Sequence, residues 1–114
     1  MPIPGWDKPY KDLSKLVTTP AQIELVLAGK KTQQRRENCF GEPGMRFEIA
    51  GRQFELVRVE NQRLGDLTDQ DALKEGFPDL RQYQEFIQRI HGGGPGSSWN
   101  PDSQCWMHEF KKVG

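Results

Sequence analysis

Leu27-Ala-Gly-Lys-Lys-Thr-Gln-Gln-Arg-Arg36 is the stretch on which the fold turns. A glycine able to end a helix is followed by four cationic side chains within seven residues: Lys30, Lys31, Arg35 and Arg36. Lysine supplies a compact, movable ammonium, whereas arginine supplies a fixed fork that matches phosphate or carboxylate. Both types at a helix-to-strand corner suit an anionic ligand better than a core. The plainer alternative is a solvated basic edge.

Upstream of the corner, Thr19 is placed to cap a helix, Pro20 fits its first position and Gln22 completes a capping box. Ile23, Val26 and Leu27 fall at helical spacing on one apolar face, and Gly29 supplies the left-handed stop. The helix is thus about ten residues long, and cations at its C-terminal end complement its dipole. That explains one lysine; it does not explain two arginines further on. Before this helix, Pro2 to Tyr10 reads as an extended arm anchored by Trp6 and Tyr10, and the domain proper is expected over 13–114.

Downstream, Thr32 to Arg36 is expected as a strand, followed by a loop from Asn38 to Gly44. Met45 to Ile49 alternates apolar and polar residues, Ala50-Gly51 turns the chain, and Gln53 to Val59 completes a hairpin. In the run Phe54, Leu56, Val57, Val59 the alternation fails, which suggests burial on both faces. Thr68 with Asp71 caps a short helix that ends at Gly76. Asp79 caps another, striped by Leu80, Tyr83, Phe86, Ile87 and Ile90 and ended by His91. Gly92 to Pro101 is a flexible, glycine-rich loop carrying Trp99. Gln104 to Lys111 closes the chain as a strand. Five or so short strands, one of them faintly written over Leu13 to Val17, with interposed helices and no βαβ rhythm, predict a small mixed α+β barrel. Its core is expected to hold Ile23, Val26, Phe47, Phe54, Tyr83, Phe86, Ile87 and Phe110.

With 114 residues the chain makes one domain. Acidic and basic residues balance at 16 each, so no global field draws it to nucleic acid or membrane, and such binding needs a local patch. No apolar run spans a bilayer and the N-terminus lacks a signal-peptide pattern. Cys39 and Cys105 stand far apart without zinc spacing. A reducing cytoplasmic setting is expected, with no metal and no cofactor.

Three segments together resemble the ASCH domain, a branch of the PUA-like superfamily. Gly29, Lys30, Lys31, Thr32 and Arg36 match its helix-ending Gly-Lys/Arg-Lys-Thr and the arginine four residues on. Leu67, Thr68, Ala72, Glu75 and Gly76 are similar to a second motif, and Cys105-Trp-Met-His-Glu-Phe110 to its closing strand. Where many members carry Gly-Asp before the first hairpin strand, this chain has Gly44-Met45. The resemblance implies a PUA-like β-barrel with flanking helices and a cleft lined by Lys31, Arg36 and Glu75, with Lys30 and Arg35 on its rim. Thr32 and Gln34 complete the expected ligand-binding set. The alternative for the ions is structural, with Glu75 merely pairing Lys31.

Two classes of function follow. One is a non-catalytic module binding RNA or a nucleoside or nucleotide, which is favoured. The other is a hydrolase: some small ASCH proteins resemble amidohydrolases acting on an acetylated cytidine nucleoside, and others resemble ribonucleases. In the amidohydrolase pattern a lysine, a threonine three residues later and a glutamate form the catalytic trio. Lys31 and Glu75 fall on two of these positions, but Gln34 stands where the threonine should. A side-chain amide cannot act as that nucleophile.

Overall fold

A computed structural model describes residues 3–90 and 100–113, with Ile90 as backbone only. His91, Trp99 and the glycine-rich segment 92–99 lie outside the described residues. In chain order the elements are α1 (Pro20–Leu27), β1 (Gln33–Arg36), β2 (Arg46–Ile49), β3 (Arg52–Arg63), α2 (Asp69–Lys74), α3 (Leu80–Ile90) and β4 (Gln104–Lys112). The four strands form one curled antiparallel sheet in the order β1-β4-β3-β2, half of a barrel, with the helices packed beside it. β4 is central. It pairs with β1 through Gln34–His108 and Arg36–Trp106, and with β3 from Phe54–Lys112 to Arg63–Gln104.

The β2–β3 hairpin turns on Ala50 and Gly51, both at positive φ (51° and 80°), as a tight two-residue hairpin demands. β3 runs longer than its pattern suggests, and the break in alternation is a bulge rather than two-sided burial. Pairing with β4 steps from Leu56–Phe110 to Arg58–Glu109, which leaves Val57 as the extra residue with its side chain 38% exposed. Inside the curl, Phe47, Phe54 and Phe110 meet edge-on or tilted at centroid distances of 5.8–6.0 Å.

Four strands, not five, occupy the described residues. The segment expected as a faint strand, Leu13 to Val17, holds a 3-10 turn at Leu13–Lys15, because the Asp12 carboxylate accepts the Ser14 N–H at 3.0 Å. That local bond outcompetes the extended form. Leu13, Leu16 and Val17 then enter the core beside Val26. The arm folds back on the domain: Trp6 meets Trp106 edge-on at 5.7 Å, and the Tyr10 hydroxyl donates to Glu42 at 2.7 Å.

Two expectations about α1 need correction. Thr19 makes no side-chain capping bond, and Gln22 is buried instead of reaching back to the helix start. Leu27 is 47% exposed, since the eight-residue helix ends before its stripe turns inward there. Of the expected core, Val26, Phe47, Phe54, Tyr83 and Phe110 are buried, while Ile23, Phe86 and Ile87 are only partly so.

Candidate ligand-binding cleft

Two glycines and a capping box set the geometry. Gly29 (φ 76°) stops α1 and turns the chain so that Lys30 points to solvent and Lys31 inward. Gly76 (φ 97°) ends the turn after α2, and a Cβ there would lie 2.8 Å from the Leu25 side chain. This close approach seats the end of α2 against α1 and brings Glu75 over Lys31. Thr32 fastens the corner: its N–H donates to the Lys74 carbonyl at 2.8 Å, and its carbonyl accepts the Phe110 N–H at 3.0 Å.

The result is a buried ion cluster. Lys31 Nζ donates to Glu75 Oε1 at 2.7 Å and to the Glu75 carbonyl at 3.1 Å. Arg35 Nη1 reaches the other carboxylate oxygen at 3.0 Å, its Nη2 pairs with Asp71 Oδ1 at 3.2 Å, and its Nε donates to Gln62 at 3.0 Å. Lys31, Glu75 and Arg35 are 1%, 2% and 6% exposed. Two cations thus face two carboxylates, and such a cluster survives burial only because each partner is satisfied. Burial still pushes the Lys31 ammonium below its ordinary range; Glu75 pulls it back, and Arg35 lowers it further. Asp71 serves twice, because the carboxylate that pairs with Arg35 also closes the capping box with Thr68. Sequence reading found that box and missed its second role.

Beside the cluster opens a cleft of about 720 Å³. Glu75 and Arg35 lie on its wall together with Tyr83, Phe86, Ile87 and Cys105; Leu16 to Thr19, Gln22, Gln34, Arg36 and Phe40 form much of the remainder. Burial raises the Tyr83 hydroxyl well above the usual tyrosine range, with Glu75 adding to it. Burial likewise raises the Cys105 thiol to about 11, so it is no thiolate at neutral pH.

The two adjacent arginines exchange their expected places. Arg35, expected on the rim, is locked in the buried cluster. Arg36, expected with Lys31 and Glu75, is half-buried on the cleft wall, its guanidinium 5.0 Å from the Phe40 ring centroid. Its Nη1 also donates to the Leu16 carbonyl at 3.4 Å, and no carboxylate pairs with the guanidinium among the described residues. Gln34 lines the cleft, with Nε2 donating to the Arg35 carbonyl at 3.4 Å and Oε1 unpartnered. Lys30, Lys31 and Thr32 do not line it. Gln22 was read as a cap, and Tyr83, Phe86 and Ile87 as core. Periodicity gave each a structural duty and could not show that they share a cavity.

His108 braces this wall from behind. Fully buried, it accepts the Phe40 N–H on Nε2 at 3.0 Å, and its Nδ1 lies 3.1 Å from the Gln34 carbonyl. With Nδ1–H donating, both bonds are met by the neutral ring. Burial lowers its pKa to about 4, outweighing the hydrogen bonds that favour the charged form.

No protein-family model and no curated protein matches the sequence. Solved structures do match in shape. The ASCH domain from Lactobacillus crispatus JV V101 superposes with a TM-score of 0.64 at 17% identity, covering 81% of this chain and 70% of that one. Protein EF3133 from Enterococcus faecalis V583, of the DUF984 family, gives 0.63 at 18% identity, covering 80% of this chain and 66% of that one. The chain therefore has the ASCH-domain fold. No helix among the described residues is long and apolar enough to cross a membrane.

Proposed function

We propose that this domain binds RNA, or a nucleoside or nucleotide, in the cleft beside the Lys31–Glu75–Arg35 cluster. One observation carries the reading: a cavity of about 720 Å³ combines an aromatic and aliphatic wall (Tyr83, Phe86, Ile87) with a polar wall (Gln34, Arg36). Its size lies in the range of small-ligand pockets. A nucleobase needs a flat apolar neighbour for its face and convergent hydrogen-bonding groups for its edge, and the two walls supply these. In this reading Arg36 and Gln34 touch the ligand. Arg35 and Lys31 hold Glu75 in place, and Lys30 and Thr32 stand outside. The ASCH-domain fold supports the same ligand class.

Amide hydrolysis at Lys31 is disfavoured, since its ammonium is enclosed by Glu75 and the adjacent cleft position is Gln34. The test is a thermal-shift series with the four ribonucleosides, their 5′-monophosphates and short RNA oligomers. A ligand that binds only the folded state raises the melting temperature. A rise that the bulky substitution Ile87→Trp abolishes supports the cleft; a series without any rise refutes the reading.

A further inference from the structure

Resting on that reading, we infer that the Arg36 end of the cleft is a phosphate subsite, so that the domain takes phosphorylated ligands in preference to bare nucleosides. Arg36 is a half-buried guanidinium on a cavity wall with no carboxylate partner among the described residues. The desolvation of that charge is offset only by the Phe40 ring and one long bond to Leu16. A cation held this way favours an anion that brings charge and several acceptor oxygens at once.

A second observation concerns the same cleft. Gln22 is only 7% exposed, lines the cleft, and has no side-chain hydrogen bond among the described residues. Its amide atoms are not among those sealed from solvent without a partner, so the amide opens to the cavity, where a polar ligand group can bond it. Thr18 and Thr19 line the same wall, and the Thr19 hydroxyl is not used to cap α1. The positive end of the helix adds to the field of Arg36 there. Lys11 is a further cation on the lining and Glu37 an exposed opposing charge, while the other acidic and basic lining groups, Glu75 and Arg35, neutralise each other. His108, behind the wall, is neutral and contributes no competing charge. The uncompensated charge of this cleft is therefore positive, and Gln22 on the same lining also lacks a partner.

Phosphate can arrive as a nucleoside 5′-monophosphate or as the diester of an RNA strand, and calorimetric titration separates these sources. Each ribonucleoside, its 5′-monophosphate and a 3′,5′-diribonucleotide are titrated at low salt, with inorganic phosphate as a further probe. The monophosphate or the dinucleotide should bind at least about tenfold more tightly than the nucleoside, as a charge-assisted contact implies. A gain confined to the monophosphate identifies a free nucleotide as the ligand, and a gain shared with the dinucleotide identifies RNA. Arg36→Gln should remove the gain, so that the variant binds the phosphorylated form no more tightly than it binds the nucleoside. Gln22→Glu, which sets a carboxylate against the phosphate, should remove it too, and it keeps the question answerable if Arg36→Gln does not fold. Equal affinities for nucleoside and phosphorylated forms would overturn the phosphate subsite while leaving the binding cleft intact, as would a gain that survives both substitutions. Absence of binding by every probe would refute the cleft and the subsite together.

Discussion

The two sides of β1 have opposite fates, although the strand is only four residues long. Gln33 and Arg35 are buried: Gln33 Nε2 donates to Glu109 at 2.7 Å while its Oε1 has no partner, and Arg35 is held by Glu75, Asp71 and Gln62. Gln34 and Arg36, one residue out of phase, are only half-buried, line the cleft and leave hydrogen-bonding capacity unused. Strand geometry alone imposes the alternation, since successive side chains point to opposite faces. Identical residue types thus divide into a buried pair and a half-buried pair, and in the proposed reading the second pair meets the ligand. Chemical type does not separate the two pairs; burial does, and for the arginines the presence of a carboxylate partner.

The largest expected effect tests that division directly. Arg35→Leu leaves Asp71 and Glu75 facing Lys31 alone, and breaking a buried pair in this way costs about 3–5 kcal/mol. Arg36→Leu loses little more than its contact with the Phe40 ring, about 1 kcal/mol or less. Urea unfolding of the two variants gives both numbers. Arg36→Leu proving the more damaging would dissolve the distinction between the two sides.

Next comes the brace behind Gln34. His108 takes up a proton near pH 6.5 when unfolded but only near about 4 in the fold. Between those values the unfolded chain binds more protons, so its population rises as pH falls. The stabilisation is complete above about 6.5 and lost progressively towards about 4, a change of about 3 kcal/mol. Denaturation midpoints across this window should show the loss, and His108→Gln should flatten that part of the profile. A wild-type profile as flat as the variant's would mean the ring is protonated in place.

A smaller effect concerns salt. If RNA enters the cleft, each phosphate contact adds about 0.7 to the slope of log affinity against log salt for a single strand. Arg36→Ala should reduce the slope by about that amount. Lys31→Ala, whose ammonium is enclosed by Glu75, should leave the slope alone even where it weakens the fold. The sequence by itself had both residues contacting the ligand, and an equal loss of slope in the two variants would restore that view.

How much of this was legible beforehand depends on which interactions are local. The Thr68–Asp71 capping box, the Ala50-Gly51 turn and the hairpin it joins follow from neighbours in sequence, and they fold as their residues suggest. The order of helix, basic corner and closing strand also led to the ASCH-domain fold. What eluded the sequence was parity and distance. Two consecutive arginines on a strand must diverge, but which one turns inward depends on the register with β4, set by residues some seventy positions away. Gln22 reads equally well as a helix cap and as a cavity wall, because the deciding fact is whether distant segments leave a cleft beside it. Val57 looked like a core residue until pairing with β4 showed it to be the extra member of a bulge.

The smallest effect is expected at Gln34, and it concerns chemistry that the cleft lacks. The amidohydrolase pattern needs a hydroxyl at this position, near a lysine and a glutamate, to attack an acyl carbon. Gln34 offers an amide, whose nitrogen is delocalised and whose oxygen has no proton to surrender to a base. The nearest hydroxyl in sequence, on Thr32, is two residues earlier on an extended chain, about 6–7 Å away. It also lies outside the cleft lining. Lys31, the candidate base, has its ammonium on the Glu75 carboxylate and carbonyl. We therefore expect no hydrolysis of an acetylated cytidine nucleoside by the unmodified protein, and a Gln34→Thr variant no less stable than the parent by more than about 1 kcal/mol. Release of acetate is the measurement. Turnover by the variant alone would show that Lys31 and Glu75 are already poised and only the nucleophile is missing. Turnover by the unmodified protein that survives Thr32→Ala would mean that Gln34 and Arg36 border a reaction centre of another design, and that the open side of β1 does more than bind.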